Sequence, residues 1–374
     1  MSGKGKPQTM GATTETIVRA LIRVTGIVQG VGFRPFLHRL ARENGLAGQV
    51  RNTTNGVEIE VEGTRERVDG FLIGLREKRP PIALIEEVAM EWLPPAGYSG
   101  FQIVRSRERA PEQVFVSPDV AICQDCAREL LDPSDRRHGY PFINCTNCGP
   151  RFSIVVGMPY DRPNTTMAKF EMCAECRAEY EDIEDRRYHA QPNACAVCGP
   201  SIWLADAGGA VIARGTEETI EAARRMILEG GTVAVKGIGG FHLACDATNE
   251  QALERLRARK LREEKPFALM CVDFAQAEEL CLLTEEARRL MRGPQCPIVL
   301  APRRERAPVA ESVAPGNPHL GVMIPYSPLH LLLLKAVGRP LVMTSGNLSD
   351  EPLAMDNGEA LSRLGGIADA FLLH

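Results

Sequence analysis

From residue 17 to 24 apolar positions alternate with others, the period of a strand with one buried face. A glycine-rich turn follows, and Phe36, Leu37 and Leu40 then share one face of a predicted helix. Residues 49–52 and 57–62 read as strands, the second alternating through Val57, Ile59 and Val61. Val68, Phe71, Leu72 and Leu75 recur at the i, i+3, i+4, i+7 spacing of a second helix, and a strand covers 83–93. The order βαββαβ predicts a ferredoxin-like sandwich, one antiparallel sheet with two helices, over residues 17–106.

Beyond residue 106 the regular periods stop. Residues 108–118 are charged and proline-bearing and read as a connection. Residues 118–204 hold little apolar material and form a segment of their own. Near its end Ile202-Trp203-Leu204 reads as a short strand, a Gly208-Gly209 turn follows, and helix and strand then alternate. Helical periods cover 217–229, 250–261, 285–292 and 328–336, while short apolar strands cover 232–235, 267–272, 298–300 and 340–344. That alternation predicts an α/β sandwich with a mixed sheet over residues 210–374, and an α+β multidomain chain as a whole.

Cysteine, not apolar pattern, organises 118–204. Eight of the twelve cysteines form four C-x2-C pairs: Cys123/Cys126, Cys145/Cys148, Cys173/Cys176 and Cys195/Cys198. Eighteen residues separate the first two pairs and eighteen the last two, the spacing of zinc knuckles. Shifted by 50 residues, Glu129 falls on Glu179, Asp132 on Asp182, Asp135 on Asp185, Arg136-Arg137 on Arg186-Arg187 and Gly149-Pro150 on Gly199-Pro200. A duplicated unit argues for two four-cysteine Zn2+ sites, each closed within one copy. Spacing alone also admits an interleaved pairing, outer pairs together and inner pairs together. Four thiolates close the coordination shell, so both ions are structural. The other use of paired cysteines, a disulfide framework, belongs to oxidising compartments; Met1–Thr16 is polar and reads as no secretory leader, so a cytoplasmic chain is expected. Cys245, Cys271, Cys281 and Cys296 lack such spacing and are expected to be ordinary thiols.

Charge changes the picture little. The 374 residues hold 44 basic and 48 acidic side chains, net −4, which gives no global field for nucleic acid. Local clusters at 255–265 and 303–306 suit a phosphate ligand or a solvated helix face. The longest apolar run, 329–334 with His330 inside it, is too short to span a bilayer, so no membrane role is expected.

Four strings carry candidate chemistry. Gly26-Ile27-Val28-Gln29-Gly30-Val31-Gly32-Phe33-Arg34 lies between the first strand and first helix, where backbone N–H groups and the helix dipole favour an anion and Arg34 adds paired contacts to phosphoryl oxygens. A plain tight turn with an arginine beside it fits the same glycines. Lys260-Leu261-Arg262-Glu263-Glu264-Lys265-Pro266 leaves a helix as a basic loop, and Thr344-Ser345-Gly346-Asn347 sits past a strand end, where hydroxyl and amide groups can meet a nucleotide. Residues 236–246 are a glycine-rich passage holding His242.

Three of these strings resemble two known signatures. G-x-V-Q-G-V-x-F-R, with Val50-Arg51-Asn52 downstream, resembles the acylphosphatase family over nearly all of the first domain; Ile27 stands where that family often has a basic residue. The resemblance implies that Gln29, Gly30, Val31, Gly32, Phe33 and Arg34 surround a phosphate, and that Asn52 orients the attacking water. K-x-R-x-x-K-P with a later S-G-N resembles the YrdC-like domains, which make carbamoyl- or threonylcarbamoyl-adenylate from ATP. It implies phosphate contacts from Lys260, Arg262 and Lys265, with Ser345 and Asn347 lining the same pocket.

The combination, in this order, resembles the HypF carbamoyltransferases of nickel–iron hydrogenase maturation. That resemblance implies carbamoyl phosphate and ATP as substrates, with Mg2+, and a HypE-type partner. It also implies a further C-terminal transfer domain beyond Ala370-Phe371-Leu372-Leu373-His374, so the chain reads as a fragment. The alternatives are threonylcarbamoyl-adenylate synthesis for tRNA modification, and an acylphosphatase with a zinc-dependent binding module.

Overall fold

The computed structural model describes residues 16–80, 82–104, 117–348 and 351–374; the polar N-terminal stretch and most of the 108–118 connection lie outside them. The chain divides into two compact units, Met1–Phe115 and Val116–His374.

The first unit runs β1 (Ile17–Ile27), α1 (Phe33–Glu43), β2 (Ala47–Thr53), β3 (Gly56–Thr64), α2 (Arg65–Glu77), β4 (Leu84–Leu93) and β5 (Phe101–Ile103). The sheet order is β4-β1-β3-β2-β5. All neighbours are antiparallel except β2 and β5, so a short fifth strand joins the expected βαββαβ frame. One face follows from the alternation: Ala20, Ile22, Val24, Val57, Ile59 and Val61 are buried with Leu37, Leu40, Phe71 and Leu75 of the helices. The other face carries the intervening residues, and there Glu58, Glu60 and Glu62 are buried by pairing. Arg51 and Arg23 meet Glu58, Arg19 meets Glu60, and Glu62 accepts the N–H groups of Gly97 and Tyr98 at 2.9 and 3.3 Å. Each buried carboxylate thus keeps a partner.

In the second unit two short helices, α3 (Gln124–Leu131) and α4 (Ala174–Glu181), begin the two cysteine repeats. The remainder is β6 (Trp203–Asp206), β7 (Val211–Arg214), α5 (Thr216–Leu228), β8 (Val233–Lys236), β9 (Phe241–Asp246), α6 (Glu250–Lys260), β10 (Ala268–Met270), α7 (Phe274–Leu280), α8 (Glu285–Met291), β11 (Val299–Pro302), β12 (His319–Met323), α9 (Pro328–Val337), β13 (Leu341–Ser345), α10 (Asn357–Leu364) and β14 (Ala370–Leu373). The strands form one sheet in the order β11-β12-β10-β13-β9-β8-β14-β6-β7. It is mixed as expected, with parallel pairs at β10–β12 and β14–β8. Leu253, Leu256, Leu280 and Leu364 bring α6, α7 and α10 into one apolar layer, and Ile220, Ile227, Leu329 and Leu333 bring α5 and α9 into another.

α9 is apolar nearly all round because it is buried on two sides. Leu329, Leu333 and Leu334 join the sheet layer, whereas Leu331 packs with Cys126, Leu130, Tyr140 and Ile143 of the cysteine segment. Backbone bonds from Ala121 to Pro294 and from Ile122 to Tyr326, both 2.9 Å, continue that junction, so the cysteine segment belongs to the same compact unit as the sheet. Among the described residues no helix is long and apolar enough to cross a membrane.

Candidate metal centres and anion sites

The cysteines gather as Cys123, Cys126, Cys145 and Cys148 in one cluster and Cys173, Cys176, Cys195 and Cys198 in the other, with the sulfurs of each cluster within 4.8 Å. The pairing is therefore tandem, and the interleaved alternative is excluded. Sγ separations of 3.7 Å (Cys123–Cys145), 3.8 Å (Cys145–Cys148) and 3.8 Å (Cys173–Cys195) approach the edge of about 3.8 Å that a tetrahedron with Zn–S bonds of about 2.3 Å requires. The donor set and its spacing fit two structural zinc ions. The remaining cysteines, Cys245, Cys271, Cys281 and Cys296, are buried in the sheet unit, where burial raises each thiol pKa and keeps it protonated.

The repeat also explains its own arginines, which serve the opposite copy. Arg136 and Arg137 of the first repeat donate to Glu179 of the second, each through Nη1 at 2.8 Å. Arg186 and Arg187 of the second close on Glu129 of the first. Arg137 Nε reaches the Ala194 carbonyl at 3.0 Å, and its counterpart Arg187 Nε reaches Asn144 at 3.2 Å. The guanidinium groups also donate to sulfur: Arg136 and Arg137 to Cys176 at 3.4 Å, and Arg186 to Cys126 at 3.1 Å. Four thiolates around a divalent cation leave excess negative charge, and these cross-bonds neutralise it. Burial alone would raise the Glu179 carboxyl, but Arg137, Arg136 and Arg187 hold it down at about 2.

In the first unit, Gly30 and Gly32 take φ of 69° and 71°, a region a side chain resists. Gly32 caps α1 and, being glycine, offers no side-chain acceptor to the first turn of the helix. Val28, Val31 and Phe33 anchor the loop in the core, and Gln29 Nε2 ties it to the β2–β3 hairpin through Thr53 and Gly56 carbonyls at 2.6 and 2.9 Å. Gln29, Val31 and Phe33 therefore have only backbone groups to offer an anion. Arg34 in the first turn of α1 and Asn52 on β2 are buried polar side chains.

The YrdC-like strings come together in part. Lys260, last residue of α6 and 1% exposed, donates through Nζ to the carbonyls of Ser345 and Asn347 at 2.7 and 2.5 Å and to Asn347 Oδ1 at 2.8 Å. Burial, with Arg262 nearby, lowers its pKa to about 8. Ser345 Oγ donates to Asn347 Oδ1 at 2.6 Å. Arg262 instead folds onto its own loop, bonding the carbonyls of Lys265 and Pro266 at 3.1 and 2.7 Å, and Lys265 projects into solvent.

Arg257 is the residue that sequence reading missed. Its guanidinium accepts the loop into a fork: Nη1 donates to the carbonyls of Arg262 and Glu263, both at 2.9 Å, and Nε to Ser312 at 2.7 Å, with Phe267 stacked 4.5 Å away. The signal was present, because Leu253, Leu256, Arg257 and Lys260 occupy one buried stripe of α6 at i, i+3, i+4, i+7. Two cations on apolar-stripe positions mark groups that must be hydrogen-bonded inside. The passage around His242 proved to be β9, a strand buried at nearly every position.

Comparison with known proteins agrees with this geometry. The acylphosphatase family matches residues 20–103, the HypF finger matches 122–155 and 172–205, and the Sua5/YciO/YrdC family, described as telomere recombination, matches 225–374. Carbamoyltransferase HypF of Synechocystis is 49% identical over 353 residues, covering 94% of this chain and 46% of that protein. Its namesake in Rhodobacter capsulatus is 51% identical over 361 residues, again 94% and 46%. A crystal structure of full-length HypF in its phosphate- and nucleotide-bound form superposes with a TM-score of 0.91 at 45% identity, covering 96% of this chain and 46% of that one. The chain thus spans a little under half the length of the relatives it matches. With acylphosphatase, paired four-cysteine finger and YrdC-like modules in the same order and at this identity, the chain belongs to the HypF carbamoyltransferase family.

Proposed function

We propose that the chain hydrolyses carbamoyl phosphate in its first unit and uses the released carbamate, with ATP and Mg2+, to form carbamoyl-adenylate in its second. In the first reaction Arg34 and the N–H groups of Gln29–Phe33 hold the phosphate while Asn52 orients water, giving carbamate and inorganic phosphate. In the second, a carbamate oxygen attacks the α-phosphorus of ATP and pyrophosphate leaves. Lys260, Arg262 and Lys265 balance phosphate charge around Ser345 and Asn347. The two zinc ions, held by the eight paired cysteines, hold the fold of their segment and take no part in either step.

The observation that carries this reading is the junction of Lys260 with Ser345 and Asn347, which draws the basic string and the S-G-N string into one locus. A HypF relative solved with phosphate and nucleotide bound supports two anion sites in one such protein. The carbamoyl group would pass to a HypE-type partner in the cytoplasm, toward the cyanide ligands of nickel–iron hydrogenase. The test is product analysis with ATP and carbamoyl phosphate, with and without Mg2+. Pyrophosphate release that depends on carbamoyl phosphate supports the proposal. Adenylate made from threonine and bicarbonate, without that dependence, favours tRNA modification instead.

A further inference from the structure

β13 and β9 pair so that Ser345 and His242 are direct partners across the strands. Such partners lie about 4.5–5.5 Å apart, so His242 adjoins the Lys260–Ser345–Asn347 junction. His242, Ser345 and Tyr326 share the wall of a cavity of about 450 Å3, otherwise lined mainly by apolar groups including Ile238, Met343 and Leu353; its other polar residues are Gln295 and Asp119, whose carboxylate is engaged by the N–H groups of Arg151 and Ser153. The Tyr326 hydroxyl stands 3.4 Å from His242 Nε2 and 3.5 Å from Nδ1, long for a hydrogen bond. His330 lies against both rings, with centroids 5.4 Å from His242 and 4.9 Å from Tyr326. It is fully buried, its Nδ1 is 2.7 Å from Ser327 Oγ, and its Nε2 has no hydrogen-bond partner. A Cβ on Gly237 would come within 3.1 Å of His242 Nδ1, His330 Cε1 and the Tyr326 hydroxyl, so the glycine keeps this corner open.

A packed aromatic cluster would satisfy its polar atoms within itself or use apolar rings. Here three polar rings converge with poor mutual bonds beside an apolar cavity, the arrangement of donors that await a ligand. We propose that His242 and Tyr326 form the subsite for the acyl substrate of the nucleotide site, a one-carbon carboxylate of the carbamate class, with His330 positioning both rings. This rests on the adenylation reading above.

Three features select that ligand. Burial lowers the His242 pKa to about 4 and raises that of Tyr326, so at neutral pH both are neutral donors, suited to one delocalised charge and not to a polyphosphate. Carbamate decomposes when its nitrogen is protonated, and a neutral imidazole in an apolar cavity offers no acidic proton. Proximity to Ser345 places the acyl oxygen beside the phosphate groups. In the step itself a carbamate O–P bond forms, the bond from phosphorus to pyrophosphate breaks, and no proton moves.

The test uses the full chain with ATP and added ammonium carbamate, which bypasses the first unit, and follows pyrophosphate. For His242→Ala and Tyr326→Phe the KM for carbamate should rise about ten- to a hundredfold, the cost of losing a hydrogen bond to a charged oxygen. The KM for ATP and phosphate release from carbamoyl phosphate should stay within about twofold. His242→Asn, which keeps an N–H donor, should recover part of the loss. An unchanged carbamate KM, or a defect confined to ATP, overturns the subsite. A wild-type chain that releases no pyrophosphate from ATP and carbamate overturns the adenylation reading itself.

Discussion

Arg137→Ala tests the crossed bracing of the two zinc repeats. Arg137 is 1% exposed and donates to Glu179, to the Ala194 carbonyl at 3.0 Å, to Asn193 Oδ1 at 3.0 Å and to Cys176 Sγ at 3.4 Å. Its removal leaves Glu179 largely buried with Arg136 as its remaining close cation. Breaking a buried pair from one side costs about 3–5 kcal/mol. Losing a charged donor to one thiolate costs about 1.5–3 kcal/mol, so zinc at the Cys173 cluster should bind about ten- to a hundredfold more weakly. The assay is competition with a chromophoric chelator, followed by thiol alkylation and peptide mapping. Although the substitution lies in the first repeat, Cys173, Cys176, Cys195 and Cys198 should label first. Arg186→Ala should do the converse and expose Cys123, Cys126, Cys145 and Cys148, because Arg186 donates to Cys126. Labelling that begins in the repeat carrying the substitution would refute the crossed arrangement.

Other substitutions address the anion sites. Arg34→Ala should abolish phosphate release from carbamoyl phosphate with little change in melting temperature, and Asn52→Ala should lower kcat more than it raises KM, both read by phosphate assay. Lys260 has a folded pKa of about 8, below its ordinary 10.5, so its charge is present below pH 8 and lost above it. The KM for ATP in pyrophosphate release should therefore climb as pH rises through about 8, and Lys260→Arg, always charged, should flatten that climb. The same lowered pKa means the unfolded chain binds more protons between about pH 8 and 10.5, so this group's penalty on stability shrinks as pH rises there. Arg257→Ala removes the fork under the basic loop and should raise the KM for ATP while also lowering the melting temperature, since the Arg262 and Glu263 carbonyls lose their donor.

The parts legible in the sequence are those where burial leaves a period. β1 and β3 each place alternate apolar residues in the core, and α1 and α2 bury one stripe, so the first unit could be read almost entirely. β5 could not, because three residues with one buried position carry no period. α3 and α4 were invisible for a different reason: α4 buries only Cys176, so clustered thiols stand where an apolar stripe would be. β9 was hidden by Gly239-Gly240 before it and by His242 within it, although its other side chains are buried on both faces. At the candidate sites the cysteine clusters and the meeting of Lys260 with Ser345 and Asn347 were legible. The crossed arginines were visible only as a repeat, since spacing shows which residues recur and not which copy they serve.

The most direct test of the proposed coupling between a carbamoyl phosphate site and a nucleotide site is a crossed pair of variants supplied with ATP and carbamoyl phosphate, with pyrophosphate, phosphate and adenylate measured together. Arg34→Ala should release no phosphate from carbamoyl phosphate and form no adenylate, although its nucleotide site is intact. Lys265→Ala should still release phosphate from carbamoyl phosphate and form no adenylate. Adenylate formation by Arg34→Ala at the wild-type rate would contradict the coupling, and so would full adenylate formation by Lys265→Ala.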